Sequence, residues 1–226
     1  MKFNHKSLLI FDLDGTLIDS VPDLALAVNS MLKDIGRSPF SEVVIRTWVG
    51  NGAQTLVKRA LSGSATITPN IETALFEKAL KIFLDAYQKS VCQSTQPYPN
   101  VISTLEALQD QGYRLAIVTN KPIAFVKPIL ETLHLLEYFE YYIGGDSLPL
   151  KKPNALPLLH VCEQFKVSVD NALMVGDSKN DILSANSAGM QSIGVTYGYN
   201  YNEPISYYNP TLVVDDFHMI LESLKR

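Results

Sequence analysis

Residues 8–17 read Leu8-Leu9-Ile10-Phe11-Asp12-Leu13-Asp14-Gly15-Thr16-Leu17. Four apolar residues in succession, closed off by polar ones, describe a strand buried on both faces, as in a parallel sheet. The strand delivers two carboxylates at i and i+2, and side chains at that spacing leave in similar directions. Gly15 follows, where the chain must turn sharply and a positive φ is cheap. In an open α/β sheet, ligands bind beyond the carboxyl ends of the strands. Asp12 and Asp14 are therefore candidates for chemistry, although Asp and Gly are also ordinary turn formers.

On the carboxyl side, the chain first departs from this pattern and then returns to it. Ser20 suits a helix N-cap, Pro22 the first turn, and Asp23 the positive end of the dipole. From 24 to 96 the apolar residues keep helical spacing, as in Leu24, Val28, Met31, Leu32 and Ile35, or Leu80, Phe83, Leu84 and Tyr87. So long a helical stretch exceeds an ordinary crossover, and predicts a separate small domain over 20–96. Pro97 and Pro99 mark the return. Strands are then predicted at 115–118, 141–143, 172–175, 193–195 and 212–214. Helices are predicted at 101–111, 156–165 and 217–224, with another through Leu183 and Ala185 closed by Gly189. Strand, polar turn and helix in repetition specify a doubly wound parallel sheet, an α/β core over 1–19 and 97–226 with the helical insertion between.

Bulk composition narrows the functional classes. Of 226 residues, 46% are hydrophobic and 19% charged, enough to bury a real core. The net charge of −4 comes without a basic stripe, which argues against nucleic acid and against an anionic membrane as partners. Two cysteines, Cys92 and Cys162, are too few for a disulfide framework and lack zinc spacing. They read as thiols of a reducing cytoplasm. The apolar start at 7–11 is too short for a signal peptide, and no run approaches a membrane span.

Four predicted strand ends carry reactive groups: Asp12 with Asp14, Thr119 with Asn120, Lys152, and Asp177 with Asp181. Each alone has an ordinary explanation, as a helix cap or a solvated turn lysine. Brought to one sheet edge, the carboxylates cannot all stay ionised without a cation. Hard oxygen donors of this kind suit Mg²⁺, which readily takes a phosphate oxygen as a further ligand.

The set DLDGTL, Thr119, Lys152-Pro153 and GDSxxD resembles, in order and spacing, the four motifs of the haloacid dehalogenase-like hydrolases. The resemblance covers nearly the whole chain. It implies Asp12 as a nucleophile that becomes an aspartyl-phosphate, and Asp14 as the general acid that later activates water. It implies Thr119 and the Asn120 backbone as holders of phosphoryl oxygens, and Lys152 as the neutralising charge. It further implies Mg²⁺ held by the Asp12 carboxylate, the Asp14 carbonyl and Asp177, with Asp181 in support. An acid two residues after the nucleophile favours phosphate esters over halides, because a halide leaves without a proton.

Two further strings, 46–53 and 195–200, are similar to the branch of this family that acts on 2-phosphoglycolate, a small phosphorylated carboxylate. In the first, Gly50 and Gly52 bracket Asn51 and would let backbone N–H groups approach that carboxylate. A glycine-rich interhelix turn with a core Trp explains the same string, and exposed tyrosines at a strand end explain the second. Broader sugar- or nucleotide-phosphate phosphatases and phosphomutases remain alternatives. So does a receiver-type phosphoacceptor domain, against which the DxD spacing, the insertion and the length all count. A monomer or small homo-oligomer is expected.

Overall fold

The computed structural model describes residues 3–225. The chain opens with β1 (Phe3–Asn4), β2 (Leu8–Phe11) and the short β3 (Ile18–Asp19). Four helices follow: α1 (Val21–Asp34), α2 (Glu42–Arg46), α3 (Ala53–Ser62) and α4 (Thr73–Ser90). Then come β4 (Gln96–Pro97), α5 (Val101–Asp110), β5 (Arg114–Val118), α6 (Ile123–Thr132) and β6 (Tyr141–Ile143). The chain closes with α7 (Leu156–Phe165), β7 (Ala172–Gly176), α8 (Lys179–Ala188), β8 (Gln191–Val195), β9 (Leu212–Val214), α9 (Met219–Ser223) and β10 (Leu224–Lys225).

Six strands form one parallel sheet in the order β6-β5-β2-β7-β8-β9, with β2 in its interior. The strand that leads into Asp12 and Asp14 is thus paired on both sides, with Phe11 level with Ile117 of β5 and Val175 of β7. Its four side chains are fully buried, each adding about 1.5–3 kcal/mol by removal from water. Alternate residues enter opposite layers, as the strand period requires. Leu9 and Phe11 pack with Leu115, Ile117, Leu173 and Val175, continuous with Leu105, Val126 and Ile220 of α5, α6 and α9. Leu8 and Ile10 pack with Ala116, Val118 and Met174, together with Leu158 and Val161 of α7.

Four local features differ from the expectations. The helical stretch is bounded by a two-stranded antiparallel ribbon, β3 against β4, with Asp19 opposite Gln96. A two-residue strand is too short to leave a periodic signal. Ser20 occupies the N-cap position of α1, but its hydroxyl donates to Asp14 rather than capping the helix. Asp23 does more than face the helix dipole. It is fully buried and accepts from the Ser94 N–H, the Thr95 N–H and the Thr95 hydroxyl, the last at 2.6 Å. That carboxylate staples the start of the insertion to its end. The helix α6 has Pro128 inside it and follows Pro122, two signals that disguise a helix in sequence.

Both cysteines are free thiols. Among the described residues, no helix is long and apolar enough to cross a membrane.

Candidate active site

Beyond Phe11 the β2 ladder continues for one more bond, from the Asp12 N–H to the Val175 carbonyl, before the chain coils through Leu13–Ile18. Gly15 takes φ +91°, and a Cβ there would lie 2.3 Å from Asp177 Oδ2. Both conformation and space therefore demand glycine at the point where the chain leaving β2 meets the end of β7.

Asp12 Oδ1 accepts from the Leu13 N–H at 2.7 Å and pairs with Lys152 Nζ at 3.0 Å. Oδ2 has no protein partner among the described residues, so one oxygen is anchored and the other free. Lys152 is buried and spends its three N–H donors on Asp12, on Asp181 Oδ1 at 2.6 Å and on the Val118 carbonyl at 2.5 Å. It is a fixed charge beside Asp12 rather than a mobile ligand.

Asp177, at the end of β7, receives the Thr16 hydroxyl on Oδ1 and the Tyr199 N–H on Oδ2. Gly198 lies against it so closely that an added Cβ would stand 2.3 Å from the Asp177 Cβ. The string 195–200 thus cradles a carboxylate. Its tyrosines are not surface decoration: Tyr199 is buried, and Tyr197 donates to the Thr16 carbonyl. Asp181 is committed elsewhere. Its Oδ2 closes a capping box at α8 with the Ser178 N–H and hydroxyl, and its Oδ1 holds Lys152.

Asp12, Asp177 and Asp181 bring carboxylate oxygens within 4.8 Å of one another, all three buried. Burial pushes Asp12 up to about 7; Lys152 opposes this, while Asp181 and Asp14 add to it. Burial also holds Asp177 well above the carboxylate range, with Asp181 and Asp12 adding repulsion. Lys152 is raised, because Asp12 and Asp181 outweigh the burial that would lower it. Carboxylates crowded in this way fit a divalent cation, which removes the cost of ionising them together. Asp181 spends Oδ1 on the Lys152 ammonium and Oδ2 on two capping donors, whereas each Asp177 oxygen carries a single neutral donor and Asp12 Oδ2 carries none among the described residues. Asp12 and Asp177 are therefore the side chains better placed to hold the cation.

Asp14 lies apart from that cluster. Its Oδ1 accepts from Ser20 Oγ at 2.5 Å and from Lys121 Nζ at 2.8 Å, and its Oδ2 from Lys121 at 3.1 Å. Lys121, a residue outside the sequence-level candidates, is therefore part of the site. Thr119 is buried at the end of β5, its hydroxyl accepting from the Lys121 N–H. The Asn120 side chain donates to the Gly50 and Lys152 carbonyls, at 3.1 Å each. Its own N–H meets no acceptor among the described residues.

The structure separates the three residues of the glycine turn. Gly50 (φ +117°) and Gly52 (φ +83°) line a cavity with Asp12, Asp14, Thr119, Asn120 and Lys121. Asn51 does not line it. Its side chain accepts from the Tyr201 hydroxyl at 2.7 Å and donates to Asn180, fastening the turn to the core. The cavity encloses about 40 Å³, roofed by Leu24, Leu56, Phe83, Tyr87 and Phe125. That is room for about three waters.

This fold and this strand-edge constellation coincide with a known family. The haloacid dehalogenase-like hydrolases match residues 9–195, and the chain belongs to that family. Among curated relatives, the phosphoglycolate phosphatase of Colwellia psychrerythraea is 50% identical over the whole of both chains. That of Psychrobacter arcticus is 49% identical over 97% of this chain and 96% of its own. A crystal structure of a predicted phosphoglycolate phosphatase from Haemophilus somnus superposes with a TM-score of 0.90 at 43% identity. It covers 96% of this chain and 97% of that one.

Proposed function

We propose that the chain hydrolyses 2-phosphoglycolate to glycolate and inorganic phosphate through an aspartyl-phosphate on Asp12. The observation that carries this reading is the state of Asp12, with Oδ1 anchored by Leu13 and Lys152 and Oδ2 left free beside the cavity. Whole-length identity with phosphoglycolate phosphatases supports the choice of ester.

In the first step Asp12 Oδ2 forms a bond to phosphorus as the bond to the glycolate oxygen breaks. Asp14, in its acid form, gives that oxygen a proton. In the second step water attacks the phosphorus of the acyl-phosphate, Asp14 takes the proton, and phosphate leaves with Asp12 restored. A covalent intermediate divides one very slow hydrolysis into two easier displacements. Thr119 and the unpaired Asn120 N–H are suited to receive phosphoryl oxygens. Lys152 supplies a fixed positive charge that does not have to reorganise during the reaction. Mg²⁺ is our choice of cation; held by Asp12, Asp177 and the Asp14 carbonyl, it would draw charge from the phosphoryl oxygens when bound.

Residues 20–96 act, in this reading, as a cap that opens about the β3–β4 ribbon to admit substrate and closes to exclude water. A cavity of about 40 Å³, lined from both the insertion and the core, supports a small ester. Two free thiols are consistent with a reducing compartment, and we place the enzyme in the cytoplasm.

A panel of phosphate esters assayed with Mg²⁺ and ranked by kcat/KM tests the proposal. 2-Phosphoglycolate is expected to lead it with repeated turnover. A sugar or nucleotide phosphate at the head would replace the substrate assigned here, and a single unrepeated phosphorylation would mean a phosphoacceptor.

A further inference from the structure

The cavity wall opposite Asp12 holds two groups that phosphoryl chemistry does not use. Lys121 is buried at 5% exposure, bonded to Asp14, with its ammonium 4.9 Å from the centre of the Tyr87 ring. The Tyr87 hydroxyl is buried and has no hydrogen-bond partner of good geometry among the described residues. A buried hydroxyl whose contact with the Lys121 ammonium falls short of good geometry leaves free energy that a ligand oxygen can return. The two residues come from different parts of the chain, Tyr87 from α4 of the insertion and Lys121 from the loop after β5. Both line the cavity, beside the apolar side chains of Leu56, Phe83 and Phe125.

We infer that Lys121 and Tyr87 form the subsite for the substrate's carboxylate, completed when the insertion closes on the core. The inference deepens the phosphoglycolate reading and rests on it. The leaving oxygen must lie beside Asp14, which gives it a proton. In 2-phosphoglycolate the carboxylate carbon is two bonds from that oxygen. Lys121 Nζ, 2.8 Å from Asp14 Oδ1, is therefore within reach of the carboxylate. The ammonium is free to turn between two carboxylates, since its partners are side chains on an otherwise apolar wall. Paired with Asp14 and set against the Tyr87 ring, Lys121 presents a buried ammonium to the substrate. Burial pushes Tyr87 up to about 12, keeping its hydroxyl a donor. The apolar surroundings strengthen both contacts by excluding water.

This subsite explains how selectivity can arise although the strand-edge motifs meet only the phosphoryl group. It also moves the reading of the carboxylate away from the backbone of the glycine turn. Gly50 turns its carbonyl to the Asn120 and Asn180 side chains, which makes that turn a closing contact.

Steady-state kinetics of wild type, Lys121→Met and Tyr87→Phe on 2-phosphoglycolate and on ethyl phosphate test the inference. Ethyl phosphate has the same leaving geometry without the carboxylate. In Lys121→Met the ratio of kcat/KM values, phosphoglycolate over ethyl phosphate, is expected to fall about 100-fold, as loss of a buried charged contact predicts. Most of that fall should appear in KM. Tyr87→Phe removes a hydroxyl whose one hydrogen-bond contact in the free protein, to the Lys121 ammonium, falls short of good geometry, so the fold should hold, and the ratio should fall about 5-fold. Ratios unchanged in both variants, with the two substrates declining in parallel, would overturn the subsite and leave the phosphoglycolate reading standing. A wild type with no preference for phosphoglycolate would overturn that reading and the subsite with it.

Discussion

The two walls of the cavity are built by opposite means. The sheet edge brings Asp12, Asp14 and Thr119 to the cavity, with Lys152, paired to Asp12, and Asp177 set outside its lining, and every one is held by protein contacts. The facing wall consists of apolar residues of α1, α3 and α4 with one tyrosine hydroxyl. The first wall is rigid and polar, preorganised for a group common to all phosphate esters. The second is greasy and belongs to a segment joined by a short ribbon, so it can discriminate by shape and exclude water. Chemistry and selectivity are thus assigned to separate stretches of chain, with Lys121 the point where they touch.

The largest effects should follow from breaking the polar wall. Asp12→Asn replaces the free oxygen's carboxylate with an amide of the same shape, and should lower phosphate release at least about 10⁴-fold on every ester. The circular-dichroism spectrum should stay native, and near wild-type turnover would end the nucleophile assignment. Asp14→Asn should cost about 10²–10⁴-fold on phosphoglycolate. The loss should be smaller on p-nitrophenyl phosphate, whose leaving group needs little protonation. Equal losses on both esters would remove the acid role.

How much of each wall could be read in advance follows from the same contrast. Asp12 and Asp14 sit in one contiguous strand-and-turn signal and Asp177 comes just after a short apolar run, so sequence alone marks them, while Lys152, nine residues past Ile143, is marked through the Lys-Pro motif it shares with the family. Lys121 is marked by nothing local. Its meaning depends on Tyr87, thirty-four positions earlier on a helix whose aromatic stripe reads as ordinary core. The Tyr199 N–H on Asp177 was hidden for another reason, since a backbone donor carries no residue signature. The Gly198 contact is legible only once β7 and β8 lie side by side. The β3–β4 ribbon escaped because two residues have no period.

The metal offers an effect of intermediate size. Burial raises the folded-state pKa of Asp12, to about 7, and of Asp177. A carboxyl whose pKa is higher folded than unfolded keeps its proton in the native state after the unfolded chain has lost it. Between about pH 4 and 7, then, the stability of chelated protein should fall as pH rises. A cation binds the ionised pair, so the rise in Tm given by Mg²⁺ should be larger at pH 8 than at pH 5. An equal rise at both would separate the metal from these carboxylates. Gly198→Ala pushes a methyl against Asp177 and should weaken Mg²⁺ binding by about 10- to 100-fold, measured by titrating activity against free Mg²⁺. Saturating metal should restore much of the rate.

The smallest expected effect tests whether the glycine turn reads the substrate or only fastens the cap. Asn51 lies outside the cavity, accepting from Tyr201 and donating to Asn180, while Lys151 Nζ holds its carbonyl at 2.7 Å. Asn51→Ala removes the two side-chain bonds and leaves the backbone contact. Hydrogen bonds at a part-buried surface are worth about 0.5 kcal/mol each, at the low end of their range, so losing both favours the open form by about 1 kcal/mol. The expected result is a fall of about 5-fold in kcat/KM, the same for phosphoglycolate and for ethyl phosphate, since closure serves every ester. A loss confined to phosphoglycolate would return the carboxylate to the turn at 47–52 and take it from Lys121. A parallel loss, set beside the selective one at Lys121, would separate the residues that shut the site from those that recognise what is inside it.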